Sequence, residues 1–187
     1  MISFKLFNDS YLDLVMKWRT KEHVTKYMAT DIEYNIKKQK IWYNKIKQCI
    51  NNYYWIIHFD QTPIGLISME VNEKHKYCLW AYYIGEKRFI KKVGGIIPLY
   101  LYNFIFSKTY INKIIALVMM GNENVRKLHL LQGYNEIGVL KDHIFKNFKF
   151  YDVYHMELYS SNWHKIKYQY MKYQADFETG NSFTLDK

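Results

Sequence analysis

Only two cysteines, two prolines and eight glycines occur among the 187 residues, and each scarcity removes a class of protein. Cys49 and Cys78 form no Cys-x-x-Cys pair, so a reducing compartment without a disulfide framework is expected, with both thiols buried. So little proline and glycine fits neither a collagen-like nor a low-complexity chain. Long apolar runs are missing as well: none approaches the roughly 18 residues of a membrane span. The opening Met1-Ile2-Ser3-Phe4-Lys5 offers no signal-peptide core, and a soluble, cytoplasmic protein with no membrane partner is the expectation. His23, His58, His75, His143, His155 and His164 show no His-Glu-x-x-His or comparable ligand spacing, so no metal is expected.

What the chain has is apolar and aromatic mass. Hydrophobic residues make up 49% and aromatics 19%, with 19 tyrosines and 11 phenylalanines. That suffices for one domain with a real core, and the length leaves no room for a second. Lys and Arg number 27 against 17 acidic residues, a formal charge of +10. Such a balance favours polyanionic ligands: nucleic acid, an anionic membrane surface, or a phosphorylated small molecule. The lysines are scattered rather than clustered, so a solvated surface shaped by biased codon usage accounts for them equally well.

Periodicity sets out the elements. Leu12, Val15, Met16 and Trp18 recur at helical spacing within Tyr11 to Met28, with Asp9 or Ser10 placed to cap the start. A second helical stretch runs from Tyr34 to Ile50 on a lysine-rich background. Tyr53 to Phe59 and Ile64 to Val71 are β-branched and aromatic, and Asp60-Gln61-Thr62-Pro63 between them is turn chemistry. A strand from Tyr77 to Ile84 ends at Gly85, and a basic loop leads through Gly94-Gly95 into an apolar helix, Ile96 to Phe106, with Pro98 in its first turn. Strands follow at Lys113 to Met120 and Phe148 to Leu158, with a weaker one at Ser3 to Phe7. Residues 1–160 read as the domain proper, and 161–187 as a C-terminal helix with Trp163, Ile166 and Tyr170 on its apolar face, then a polar tail that frays from Glu178.

The most informative stretch is Asn122 to Asp142. It reads as strand exit, short helix, glycine stop and new strand: Leu128 and Leu131 lie one turn apart, and Gly133 stands where a left-handed C-cap is needed before Tyr134. Upstream, the helix N-terminus after Gly94 and Gly95, with Arg88, Lys91 and Lys92 nearby, is a candidate anion site. The plainer reading there is a glycine-capped turn beside a solvated basic face.

The spacing of Asn122, Gly133, Tyr134 and Gly138 resembles the C-terminal signature of the GCN5-related N-acetyltransferases (GNAT). Lys17-Trp18-Arg19, and later Gly138, Leu140, Lys141, Asp152 and Val153, resemble the subgroup that acetylates UDP-linked 4-amino sugars in pseudaminic acid biosynthesis. Roughly residues 10 to 158 take part, in the same order, and the chain is also similar to the ribosomal-protein N-terminal acetyltransferases. The family's phosphate-loop pattern is degraded, with Phe89 and Lys92 where it has Gln or Arg and a glycine.

The resemblance implies a mixed α/β (α+β) fold with a mainly antiparallel sheet of about six or seven strands flanked by helices. It implies acetyl-CoA as co-substrate, without metal, and direct transfer to a UDP-amino sugar or another amine. Amides around Tyr82, Tyr83 and Ile84 would hold the pantetheine arm, and Arg88, Lys91, Lys92, Gly94, Gly95 and Asn122 the rest of CoA. Arg19, Met28, Gln39, Trp42 and Lys141 are the substrate-side candidates. Glu70 is the expected base, or else a solvated strand-end acid. His129 occupies the position of the family's tyrosine acid, where an imidazolium would donate to the leaving thiolate, with Tyr83 as rival donor. Trp18, Trp42 and Tyr43 offer stacking surfaces or core. A homodimer is a further expectation. The rival from another class is a basic nucleic-acid-binding module, which has no concentrated Lys/Arg stripe or RNP-like motif to support it.

Overall fold

The computed structural model describes residues 1–180. Seven strands, β1 (Ile2–Leu6), β2 (Asn52–Phe59), β3 (Thr62–Asn72), β4 (Tyr77–Ile84), β5 (Lys113–Met119), β6 (Asn135–Lys146) and β7 (Lys149–Tyr159), form one sheet in the order β1-β2-β3-β4-β5-β7-β6. All neighbours are antiparallel except β4 and β5, which run parallel. Asp60 and Gln61, with φ of +45° and +68°, make the tight β2–β3 reversal that the turn chemistry predicts.

Helices cover both faces of the sheet. On one lies α5 (Ile97–Lys108), whose Ile97, Leu101, Tyr102, Ile105 and Phe106 are buried at helical spacing against Cys78, Trp80 and Ile84 of β4. On the other lie α1 (Leu12–Arg19) and α3 (Ile36–Lys47), which bury Val15, Trp18, Tyr43 and Ile46 against Ile56, Leu66 and Tyr83. Strand alternation explains the split: Trp80 and Tyr83 stand on opposite faces of β4.

The helix expected over Tyr11 to Met28 is broken. It stops at Arg19 and resumes as the short α2 (Glu22–Thr25), because tertiary contacts override local propensity. Lys21 between them is extended (φ −75°, ψ 132°), and its ammonium donates to the Gly85 carbonyl at 3.0 Å and to Glu86 at 3.3 Å. The second helix is shorter than its pattern, starting where the Asn35 side chain accepts from the Lys38 amide.

Three further helices complete the fold: α4 (Ile90–Val93), α6 (Glu123–Leu131) and α7 (Ser160–Ile166). Gly133 follows α6 at φ +90°, and the amides of Gly133 and Tyr134 donate to Leu130 and His129, each at 3.1 Å. This is the left-handed stop that the sequence predicts. Trp163 of α7 is buried against Tyr102 and Tyr170. Glu178 is fixed to the sheet: its amide donates to Phe4 at 3.0 Å and its carboxylate accepts from Leu6 at 2.8 Å. The remainder of the polar tail, 181–187, lies outside the described residues. Among the described residues no single helix is long and apolar enough to cross a membrane.

Candidate active site

The parallel pair opens a cleft. β4 and β5 pair only at Tyr77/Lys113, Cys78/Ile114 and Leu79/Ile115, and then part. The Gly85 amide donates to Ile64 of β3 at 2.8 Å, so alternation along the antiparallel ladder turns the amides of Tyr82 and Ile84 toward the gap. A cavity of about 390 Å³ fills it, lined by Tyr82, Tyr83, Ile84, Gly94, Asn122 and His129 among others. Asn122 precedes α6 without capping it, which leaves its carboxamide available to a ligand. The glycine turn at the mouth is tied down from inside: Tyr82 donates to the Gly94 carbonyl at 2.7 Å, and Gln132 to that of Gly95 at 2.9 Å.

The basic loop does not reach this cleft. Arg88, Lys91 and Lys92 are exposed and line neither cavity, nor does Gly95. Lys92 stands 4.0 Å over the Phe59 ring, and Arg88 4.9 Å over Phe89. Aromatic faces carry these two cations, and of the residues expected to form the anion site Gly94 is the one that lines the cleft.

A larger cavity, about 840 Å³, lies on the other face of β4 between α1, α3 and the segment joining α2 to α3. Arg19, Met28, Gln39 and Trp42 all line it, as the sequence predicts for a substrate side. Arg19 donates to the Thr30 hydroxyl at 3.1 Å, while its Nη1 is buried without a partner among the described residues. Burial lowers the pKa of this guanidinium, and the neighbouring Tyr83 and Asp31 act in the opposite direction. Trp42 is held edge-on to Tyr54 at 5.6 Å and tilted against Phe7 at 5.8 Å. Trp18 belongs to the core: it is fully buried, and its indole donates to Glu86 at 2.7 Å. Tyr43 is buried too.

Tyr83 joins the two spaces, lining both together with Met28 and Ala81. Its hydroxyl is buried and has no hydrogen-bond partner among the described residues. Burial pushes its pKa well above the ordinary tyrosine value, opposed by the Arg19 charge, so it is a protonated donor at neutral pH.

The other expected proton carriers stand differently. His129 lines the cleft but is 3% exposed, packed 4.7 Å from Tyr134 and 5.7 Å from Trp80. Burial lowers its pKa to about 4, and its Nδ1 has no hydrogen-bond partner among the described residues. At that value the ring is neutral at pH 7, where the resemblance implies an imidazolium. Glu70 shares the β3 face of Leu66 and Ser68, but it is exposed, lies four residues beyond the Leu66 that pairs with Tyr83, and lines neither cavity. At strand rise that is about 13 Å. Lys141 is on β6, paired with Asp152 at 2.7 Å and with its side chain 77% exposed, and it lines neither cavity.

Local reading passed over Asp31, Glu33 and Lys38, which line the larger cavity. The available signal is the polar run Thr30-Asp31-Ile32-Glu33 between two helical patterns, the kind of connection that carries function. Among the described residues no group of three His, Cys, Asp or Glu is placed to hold a metal ion.

No protein-family profile matches the chain, and no curated protein matches it by sequence. Solved structures do. The spermidine N-acetyltransferase of Vibrio cholerae in complex with CoA and spermine matches with a TM-score of 0.80 at 18% identity, over 87% of this chain and 98% of that one. The spermidine/spermine N-acetyltransferase of the same organism, in complex with manganese ions, gives 0.74 at 18%, over 88% and 95%. A chain assigned provisionally as a phosphinothricin N-acetyltransferase gives 0.70 at 15%, over 86% and 99%. The chain therefore has the fold of the GCN5-related N-acetyltransferases, with the seven-stranded, mostly antiparallel sheet that the resemblance implies.

Proposed function

We propose that this protein is an acetyl-CoA-dependent N-acetyltransferase that transfers the acetyl group directly to a small-molecule amine. The observation that carries the reading is Tyr83, the residue on which the β4/β5 cleft and the larger cavity meet. Acetyl-CoA, when bound, supplies the activated acyl group. The amides of Tyr82 and Ile84, turned into the gap, are the donors for its pantetheine arm and thioester oxygen. Asn122 and the backbone at Gly94 face the same space.

The amine enters from the larger cavity and must lose a proton before attack. Asp31 and Glu33 are the acidic side chains that line this space, and water reaches them there; the proton leaves by that route rather than to Glu70. The new C–N bond forms as the C–S bond breaks. Tyr83 is the hydroxyl donor for the departing sulfur, kept protonated by its burial.

Our reading of the acceptor is a UDP-linked amino-dideoxy sugar. Arg19 and Lys38 supply positive charge for a diphosphate, Trp42 a face for a base, and Gln39 a polar group for the sugar. A second reading, a polycationic amine of the spermidine kind, rests on Asp31 and Glu33 in the same cavity. A panel of a UDP-4-amino sugar, spermidine and a peptide N-terminus, assayed by thiol release from acetyl-CoA, separates them. Turnover of the nucleotide sugar alone is expected, and turnover of spermidine alone would move the assignment to the second reading. Absence of thermal stabilisation by acetyl-CoA, with salt-dependent binding of RNA or DNA, would sink both in favour of a nucleic-acid-binding module.

A further inference from the structure

The hairpin of β6 and β7 forms the edge of the sheet, and its tip returns to the cavities. Asn147 and Phe148 make its reversal with φ of +51° and +58°. Phe148 is 99% exposed, whereas Lys146 beside the turn has a side chain only 7% exposed. Lysines at such places are ordinarily solvated, since burying an ammonium is costly unless it is fully paired. Three acceptors meet this one: the carbonyls of Thr25 at 2.6 Å and Met28 at 3.1 Å, and the Asp31 carboxylate at 2.9 Å. An ammonium has three N–H donors, and each finds a partner.

Thr25 ends α2, and Met28 and Asp31 lie on the segment between α2 and α3, of which residues 30–35 carry no regular structure. Elsewhere it is fastened by Arg19 at Thr30 and by the Tyr34 hydroxyl at Asp13. Met28 to Glu33 line the larger cavity, and Tyr27 and Met28 line the cleft. The wall that the two spaces share is therefore held from the far edge of the sheet by one side chain.

We propose that Lys146 is a positioning residue for the acceptor site: it clasps the Thr25–Asp31 segment in the shape that receives the amine. This rests on the acetyltransferase reading for its kinetic part only. Lys146→Met keeps the apolar stem and removes the donors. Amide hydrogen exchange across residues 25–31 is expected to quicken about tenfold or more, with β2 to β4 unchanged. The KM for the amine is expected to rise about tenfold while that for acetyl-CoA moves less than about twofold. Lys146→Arg, a cation with a planar fork, should rescue in part. If Lys146→Met does not fold, Lys146→Gln, with fewer donors, is read in the same way. Unchanged exchange at 25–31 overturns the clasp. A parallel rise in both KM values, or exchange quickened throughout the sheet, shows a merely structural role and overturns the proposal as well. If the wild-type chain acetylates no amine, the functional reading fails, and exchange alone still decides whether Lys146 holds the wall.

Discussion

The Tyr82 hydroxyl donates to the Gly94 carbonyl at 2.7 Å, so the strand whose amides face the cleft also anchors the glycine turn at its mouth. The hydroxyl is buried and its pKa is raised by that burial. Tyr82→Phe would leave the carbonyl without its donor while keeping the ring stacked on Trp80 at 5.4 Å. A loss of about 1–3 kcal/mol in urea unfolding is expected, together with a several-fold rise in the KM for acetyl-CoA. An unchanged KM would show that the turn takes no part in holding the cofactor.

Tyr83 makes the opposite prediction. Its hydroxyl has no partner to lose, so Tyr83→Phe should leave unfolding stability within about 0.5 kcal/mol or raise it. Its kcat should nonetheless fall on the order of a hundredfold or more, the usual contribution of a positioned proton donor. Steady-state kinetics with saturating acetyl-CoA test this, and a kcat near that of the wild type would remove Tyr83 from the chemistry.

The strands and the α6 stop were legible because each depends on neighbours in sequence: β-branched and aromatic runs for β2 and β3, turn chemistry from Asp60 between them, one glycine for the end of α6. Arg19, Gln39 and Trp42 came together in one cavity because helical spacing places them on faces that meet. Glu70 shows where such reasoning stops. Alternation gives its face correctly as that of Ser68, but how far along the sheet a cavity extends depends on where β4 and β5 part. The protonation state of His129 lies beyond such reasoning for a related reason: its pKa follows from burial among aromatic side chains, including Trp80 from a distant strand. The Lys146 clasp joins residues 118 and 121 positions apart, and no local pattern announces it.

Gly85 marks the contact between α1 and the end of β4. A Cβ there would lie 2.1 Å from the Trp18 ring, which has 0% exposure and cannot swing aside while its N–H is bound to Glu86. Gly85→Ala should cost about 1–3 kcal/mol or more through overpacking. Because Trp18 packs edge-on to Tyr83 at 6.4 Å, turnover should fall along with stability. Chemical denaturation beside kcat/KM checks both, and a stable, fully active variant would contradict the close contact of Gly85 with Trp18.

His129 gives the chain an acid-sensitive element whose direction follows from burial. Its pKa in the folded protein is about 4, against an ordinary 6.5, so between those values the unfolded chain takes up a proton that the folded chain refuses. The contribution is fully present above pH 6.5 and is lost progressively as pH falls toward 4; the interval corresponds to about 3 kcal/mol at most. Carboxylates titrate in the same acid range, so the comparison needs a variant that differs only at this ring. His129→Phe keeps an aromatic side chain against Trp80 and Tyr134 and cannot bind the proton. Urea midpoints at pH 7, 5.5 and 4.5 should fall less steeply for His129→Phe than for the wild type. Parallel slopes would mean that His129 binds a proton as readily in the folded chain as in the unfolded one, and its ring would then return as a rival to Tyr83.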